Sequence, residues 1–144
     1  MSEISVTATP SSRLLRYADH AARWIFGLFY ATTGVQVLAF QMFGGEMGVQ
    51  PTPEAQAFMN AIASSGFMNY LLAGSYIAGG AALLWRRTAP LGAALLAPSV
   101  AVILLFHLTL SGQWIWGPLN AVWLAVLLWN YRSAYTSMWR YPAY

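Results

Sequence analysis

The sequence predicts an all-α integral membrane protein: a four-helix bundle with both termini in the cytoplasm and a short amphipathic helix in its first outer loop. Three observations predict it. Of the 144 residues, 58% are hydrophobic and 8% charged, where a soluble domain carries about 25% charge; so few charges do not cover a soluble surface. Two uncharged stretches, near 67–85 and 90–110, flank Trp85-Arg86-Arg87-Thr88, and each is about 30 Å long as a helix, the thickness of a hydrocarbon core. The arginines also fall on alternate connections between apolar segments.

Taken in order, Met1–Ser12 is small, polar and interrupted by Pro10, and reads as disordered. Residues 13–139 read as one transmembrane domain with spans at about 24–43, 67–85, 90–110 and 115–135, and 140–144 as a tail. Ser11 or Ser12 is a candidate cap for a basic amphipathic lead-in that runs toward Arg23. The first apolar run continues too far for a signal-peptide core, so a retained span is expected. That span carries Thr32, Thr33, Gln36 and Gln41. A threonine returns its hydroxyl to its own helix, whereas Gln36 needs another helix or an aqueous cavity.

Gly44-Gly45 ends the first span. Thr52-Pro53-Glu54 then has the order of a cap, a proline at the first helical position and an acid at the positive end of the dipole. Ala55, Phe58, Met59 and Ile62 follow at helical spacing, and Ser64-Ser65-Gly66 closes the segment. A surface helix lying as a lid on the bundle is expected. The second span carries the small-residue pairs Gly74/Ala78 and Ser75/Gly79, and the third carries Ala93, Ala97 and Ala101 with Pro98 mid-span. Small residues let backbones approach where lipid supplies no hydrophobic drive, and the proline predicts a kink. The fourth span lies between Trp114/Trp116 and a second belt containing Trp129, Tyr131, Tyr135, Trp139 and Tyr141.

Orientation follows from the arginines. Arg13, Arg16 and Arg23 precede the first span, Arg86 and Arg87 join the second and third, and Arg132 and Arg140 follow the fourth. The other two connections hold no Arg or Lys, and the longer one holds Glu46 and Glu54. The positive-inside rule places both termini in the cytoplasm. The net charge of +3 is therefore read as topology and not as nucleic-acid binding. Arg86 and Arg87 have a second reading as ligands for an anionic lipid headgroup.

Several chemistries are excluded by position. There is no cysteine, so no disulfide or thiolate metal site. His20 and His107 fall at opposite ends of the predicted bundle, which removes a bis-histidine haem. No cluster has zinc-ligand spacing, no acid lies within a predicted span, and no nucleotide fingerprint appears. Catalysis by this chain alone is not expected.

The ordered set Phe67-Met68-Asn69-Tyr70-Leu71-Leu72, Ile77 to Leu84 with Gly79-Gly80, Arg87-Thr88-Ala89-Pro90-Leu91-Gly92, Leu96-Ala97-Pro98 and Leu105-Phe106-His107 resembles the DoxX family of small bacterial four-helix membrane proteins. The resemblance covers roughly residues 23–139, including Gly27-Leu28 and Thr33-Gly34. It departs from the family at Tyr76, where relatives often have Glu, at Val102, where they often have Asn, and near Gln36, where a basic residue is common. The resemblance implies a multi-pass protein of the bacterial inner membrane, linked to redox assemblies such as a thiosulfate:quinone oxidoreductase.

On this reading Gln36, Asn69, His107 and Asn120 share the outer third of the membrane, with Tyr76 somewhat deeper. Intramembrane polar groups are functional candidates by default. The five are the expected ligand pocket, with His107 donating to the carbonyl of a quinone or lipid head. The expected role is a non-catalytic anchor of a quinone-linked redox complex, partnered by an oxidoreductase subunit or a second copy. A small transporter or lipid-handling protein working through the Pro98 kink, and a structural bundle without ligand, are the alternatives.

Overall fold

The computed structural model describes residues 10–45 and 48–136. All secondary structure among them is helical: α1 (Pro10–Phe43), α2 (Pro53–Ser64), α3 (Met68–Leu84), α4 (Ala89–Thr109), α5 (Trp116–Asn130) and α6 (Arg132–Tyr135). The expected disorder of Met1 to Thr9, the acid Glu46 and the tail containing Trp139, Arg140 and Tyr141 lie outside the described residues.

The expected lead-in and first span meet without a break in α1. Lead-in and span are one helix of 34 residues, about 51 Å at ~1.5 Å per residue. Pro10, Ser11 and Ser12 are already helical; proline is well suited to a first turn, and no further proline interrupts the chain before Pro51. Arg23, Phe26, Gly27, Tyr30 and Gly34 are buried, spaced so that they form one helical stripe.

Two stretches are long and apolar enough to cross a membrane as single helices: Tyr17–Phe43, with mean hydropathy 1.3, and Ala89–Thr109, with 2.2. α2 and α3 together give a third, bent by 91° at their junction. α3 alone has 17 residues and α5 has 15, or ~25 and ~22 Å, short of a ~30 Å core. α4 continues as one helix through Pro98.

α1, α3, α4 and α5 pack in chain order, each against the next. Glycines set the closeness. A Cβ on Gly80 would stand 2.5 Å from the Ala31 nitrogen, one on Gly92 2.6 Å from the Gly79 carbonyl, and one on Gly117 2.8 Å from the His107 Cβ. The expected pair Gly74/Ala78 takes no part: Gly74 meets open space and Ala78 is exposed. Gly74 stands about 240° around the helix from Gly80. The remaining seam, between α5 and α1, is lined by large side chains, with the Phe26 and Trp123 rings 5.4 Å apart. Phe26, Tyr30, Leu83, Leu96, Val100 and Leu127 form the fully buried centre.

α2 starts as expected. Thr52 is extended, its Oγ1 accepts from the Ala55 N–H at 3.2 Å, and Pro53 follows. The same hydroxyl donates to the Leu110 carbonyl at 2.5 Å, and Phe58 packs on Phe106 with centroids 5.6 Å apart. α2 is thereby fastened to the end of α4, with Ala55 fully buried. Gly66, at φ +78°, then turns the chain into α3.

Candidate functional site

A cavity of about 510 Å³ lies where α2, the end of α1 and the start of α3 meet, within the range typical of small-molecule sites. Its walls combine apolar Val37, Phe40 and Met59 with the amides of Gln41, Gln56, Asn60 and Asn69. Asn69 Nδ2 donates to Gln41 Oε1 at 2.9 Å. Gln56 Nε2 donates to Asn60 Oδ1 at 3.0 Å, and Gln56 Oε1 accepts from the Gln50 N–H at 2.9 Å. The described lining residues are all neutral.

One atom behind this wall stands out. Asn69 is 7% exposed, and its Oδ1 is buried without a hydrogen-bond partner. A buried acceptor left bare costs about 1–3 kcal/mol, and this oxygen is closed off from the open space of the cavity. The mixed amide and apolar wall suits a neutral ligand with a polar head and an apolar body.

The structure does not gather the five residues expected to share a pocket. Asn69 alone lines the cavity under α2. Gln36 is exposed, a correction to its expected inward direction; it lies about 200° around α1 from Gly34, which packs against α3. Tyr76 and Asn120 are buried in the core and cluster about Tyr30. The Tyr30 hydroxyl donates to Asn120 Oδ1 at 3.1 Å, and the Tyr30 and Tyr76 rings meet edge-on at 5.2 Å. Asn120 Nδ2 is bonded to the Trp116 carbonyl of its own helix at 2.8 Å.

His107 sits half-buried beside the α4–α5 seam, its Nδ1 2.8 Å from the Ile103 carbonyl. A carbonyl only accepts, so Nδ1 carries the proton and Nε2 of the neutral ring is an acceptor. The expected donation from His107 to a ligand carbonyl is therefore unavailable to the neutral side chain.

Three residues were missed in the sequence. Gln41 follows Tyr30 and Gly34 at i+11 and i+7, a spacing that places it on the packed stripe of α1. Tyr30 reads as one more aromatic in an apolar run. Arg23 reads as a topology signal, yet it is 3% exposed. Its Nη1 donates to the carbonyls of Leu83 at 2.8 Å and Leu84 at 3.2 Å, satisfying the open end of α3. Thr88 completes that end by donating to the Ala82 carbonyl at 2.8 Å.

Among the described residues no group of three or more His, Asp or Glu side chains could hold a metal ion. No family model, curated protein or solved structure matches the chain.

Proposed function

We propose that the chain is a non-catalytic subunit of the bacterial cytoplasmic membrane that holds a small neutral amphiphile beneath α2. It crosses the bilayer four times, through α1, α3, α4 and α5, with both termini in the cytoplasm and α2 on the outer side. The observation that carries the binding reading is a cavity of about 510 Å³ walled by the amides of Gln41, Gln56, Asn60 and Asn69 beside apolar Val37, Phe40 and Met59. The four-span reading is supported by the gathering of Arg23, Arg86 and Arg132 around one cleft, and by the absence of Arg and Lys from the connections at the other end. Outward-facing Leu71, Leu91, Leu105 and Val122 suit a lipid environment.

A quinone fits the donor set. The Gln41 and Asn60 amide nitrogens would donate to its carbonyls. With the DoxX resemblance, this favours a membrane anchor of a quinone-linked oxidoreductase, with an oxidoreductase subunit or a second copy as partner. Transport is the weaker reading, because the middle of the structure is closed by Phe26, Leu83, Leu96, Val100 and Leu127, and the polar groups buried there bond to one another, as in Tyr30–Asn120 and Ser75–Ser99.

The test is purification in mild detergent from native membranes, with co-purifying proteins and small molecules identified by mass spectrometry. The wild type is expected to carry a carbonyl- or hydroxyl-bearing amphiphile together with an oxidoreductase subunit. Asn69→Leu is expected to lose the amphiphile, and His107→Ala to keep it. A wild type recovered empty and alone, or a ligand kept by Asn69→Leu and lost by His107→Ala, overturns the proposal.

A further inference from the structure

The end of the molecule away from α2 holds a second cavity, of about 590 Å³, between the early turns of α1, the α3–α4 turn and the α5–α6 junction. Arg23, Arg86 and Arg132 line it, one from each of these places, with His20 and Tyr131. We infer that this cleft binds a phosphate-bearing anion, through the Arg86 and Arg132 guanidiniums over a floor fixed by Arg23.

The charge balance supports it. Asp19 is the one acid on the wall, and it accepts from Asn130 Nδ2 at 2.9 Å. Among the described residues Arg23, Arg86 and Arg132 lie in no ion pair, and Arg86 makes no hydrogen bond. Three guanidiniums around one cleft repel one another, and a phosphate relieves that repulsion while accepting several charge-assisted bonds.

The geometry is partly fixed beforehand. Arg23 is locked by the two carbonyls of α3, and its Nη2 lies 3.2 Å from His20 Nδ1. A guanidinium only donates, so His20 Nδ1 accepts and Nε2 of the neutral ring carries a proton free for an anion. Arg132 donates to the Trp129 carbonyl at 3.0 Å and stands 5.0 Å over the Trp129 ring. Arg87, the other half of the expected headgroup pair, does not line the cleft; the two neighbours are therefore not equivalent. The anion is either the headgroup of an acidic lipid or a soluble phosphate.

The test uses the full chain in nanodiscs of phosphatidylcholine with and without phosphatidylglycerol. Native mass spectrometry reads the retained lipid, and thermal unfolding reads its effect. The wild type is expected to retain phosphatidylglycerol over phosphatidylcholine and to unfold at a higher temperature with it. Arg86→Gln combined with Arg132→Gln is expected to weaken retention about tenfold or more. Arg86→Gln alone, at an exposed residue without a bond, guards against a misfolded double variant and is expected to weaken retention by itself. Arg87→Gln is expected to leave it unchanged. Displacement of the lipid by glycerol phosphate or inorganic phosphate at low concentration assigns the site to a soluble anion, and resistance to displacement assigns it to a lipid headgroup; both uphold the inference. Equal retention of the two lipids by the wild type together with no rise in its unfolding temperature on adding inorganic phosphate, or equal losses in Arg86→Gln and Arg87→Gln, overturns it.

Discussion

The two ends of this molecule are built from different chemistry. At the α2 end, neutral amides from α1, α2 and α3 bond to one another and leave Asn69 Oδ1 bare. At the other end, Arg23 and Thr88 complete the carbonyls of α3, and Arg86 and Arg132 stand without ion pairs among the described residues. The first end has an acceptor in excess and the second has positive charge in excess. The difference teaches that burial of a polar residue is not itself a sign of function. Arg23, at 3% exposure, and Asn69, at 7%, are both buried, but the partners of Arg23 are the chain's own backbone and Asn69 keeps one atom unpaired.

That contrast breaks most directly at Arg23. Arg23→Gln is expected to destabilise the fold by about 2–3 kcal/mol, because hydrogen bonds to charged groups are worth about 1.5–3 kcal/mol. Denaturant unfolding in detergent checks it, with Arg87→Gln within about 0.5 kcal/mol of wild type as the surface control. A smaller loss at Arg23 would make it a topology signal only.

At the opposite end, Thr52→Val removes both the α2 cap and the bond to Leu110. It is expected to cost about 1–2 kcal/mol and to raise hydrogen exchange in α2 above that in α4. Uniform exchange in both helices would show that α2 is not a separately fastened lid.

Asn69→Ala sharpens the comparison. It loses one bond to Gln41 and also removes the unpaired acceptor, so a net change under about 1 kcal/mol is expected, in contrast to Arg23→Gln. A loss as large as that at Arg23 would mark Asn69 as structural. The smallest effect is expected at Gln36, where exchange to Leu on an exposed face should leave stability unchanged or raise it slightly when thermal unfolding is measured in detergent.

The two ends were also unequally legible in the sequence. The start of α2 was readable because Thr52-Pro53-Glu54 is local chemistry, and its cap forms as read. The helical character of 67–85 and 90–110 was readable from their lack of charge, and α3 and α4 end within one residue of those limits. The direction of a side chain around its helix was not. Gln36 and Gln41 are the same residue type on the same helix, and only the packing stripe set by Gly27, Tyr30 and Gly34 separates the exposed one from the one in the cavity. Arg23 was hidden for a related reason: its partners lie 60 and 61 residues away, and backbone carbonyls leave no mark in the sequence. The pairing of Tyr30 with Asn120, 90 residues apart, depends on how α5 returns to α1.

The four-span arrangement is tested most directly by cysteine labelling, and the natural chain contains no cysteine to interfere. Ala57→Cys on α2, Gln113→Cys between α4 and α5, and Ser133→Cys on α6 all replace exposed residues. In intact cells stripped of any outer membrane, a membrane-impermeant maleimide is expected to label Ala57→Cys and Gln113→Cys at once. Ser133→Cys is expected to react only after the membrane is opened. Labelling of Gln113→Cys and Ser133→Cys from the same side would show that α5 does not cross. Labelling of Ser133→Cys alone from outside would invert the orientation and place the amide-lined cavity on the cytoplasmic face.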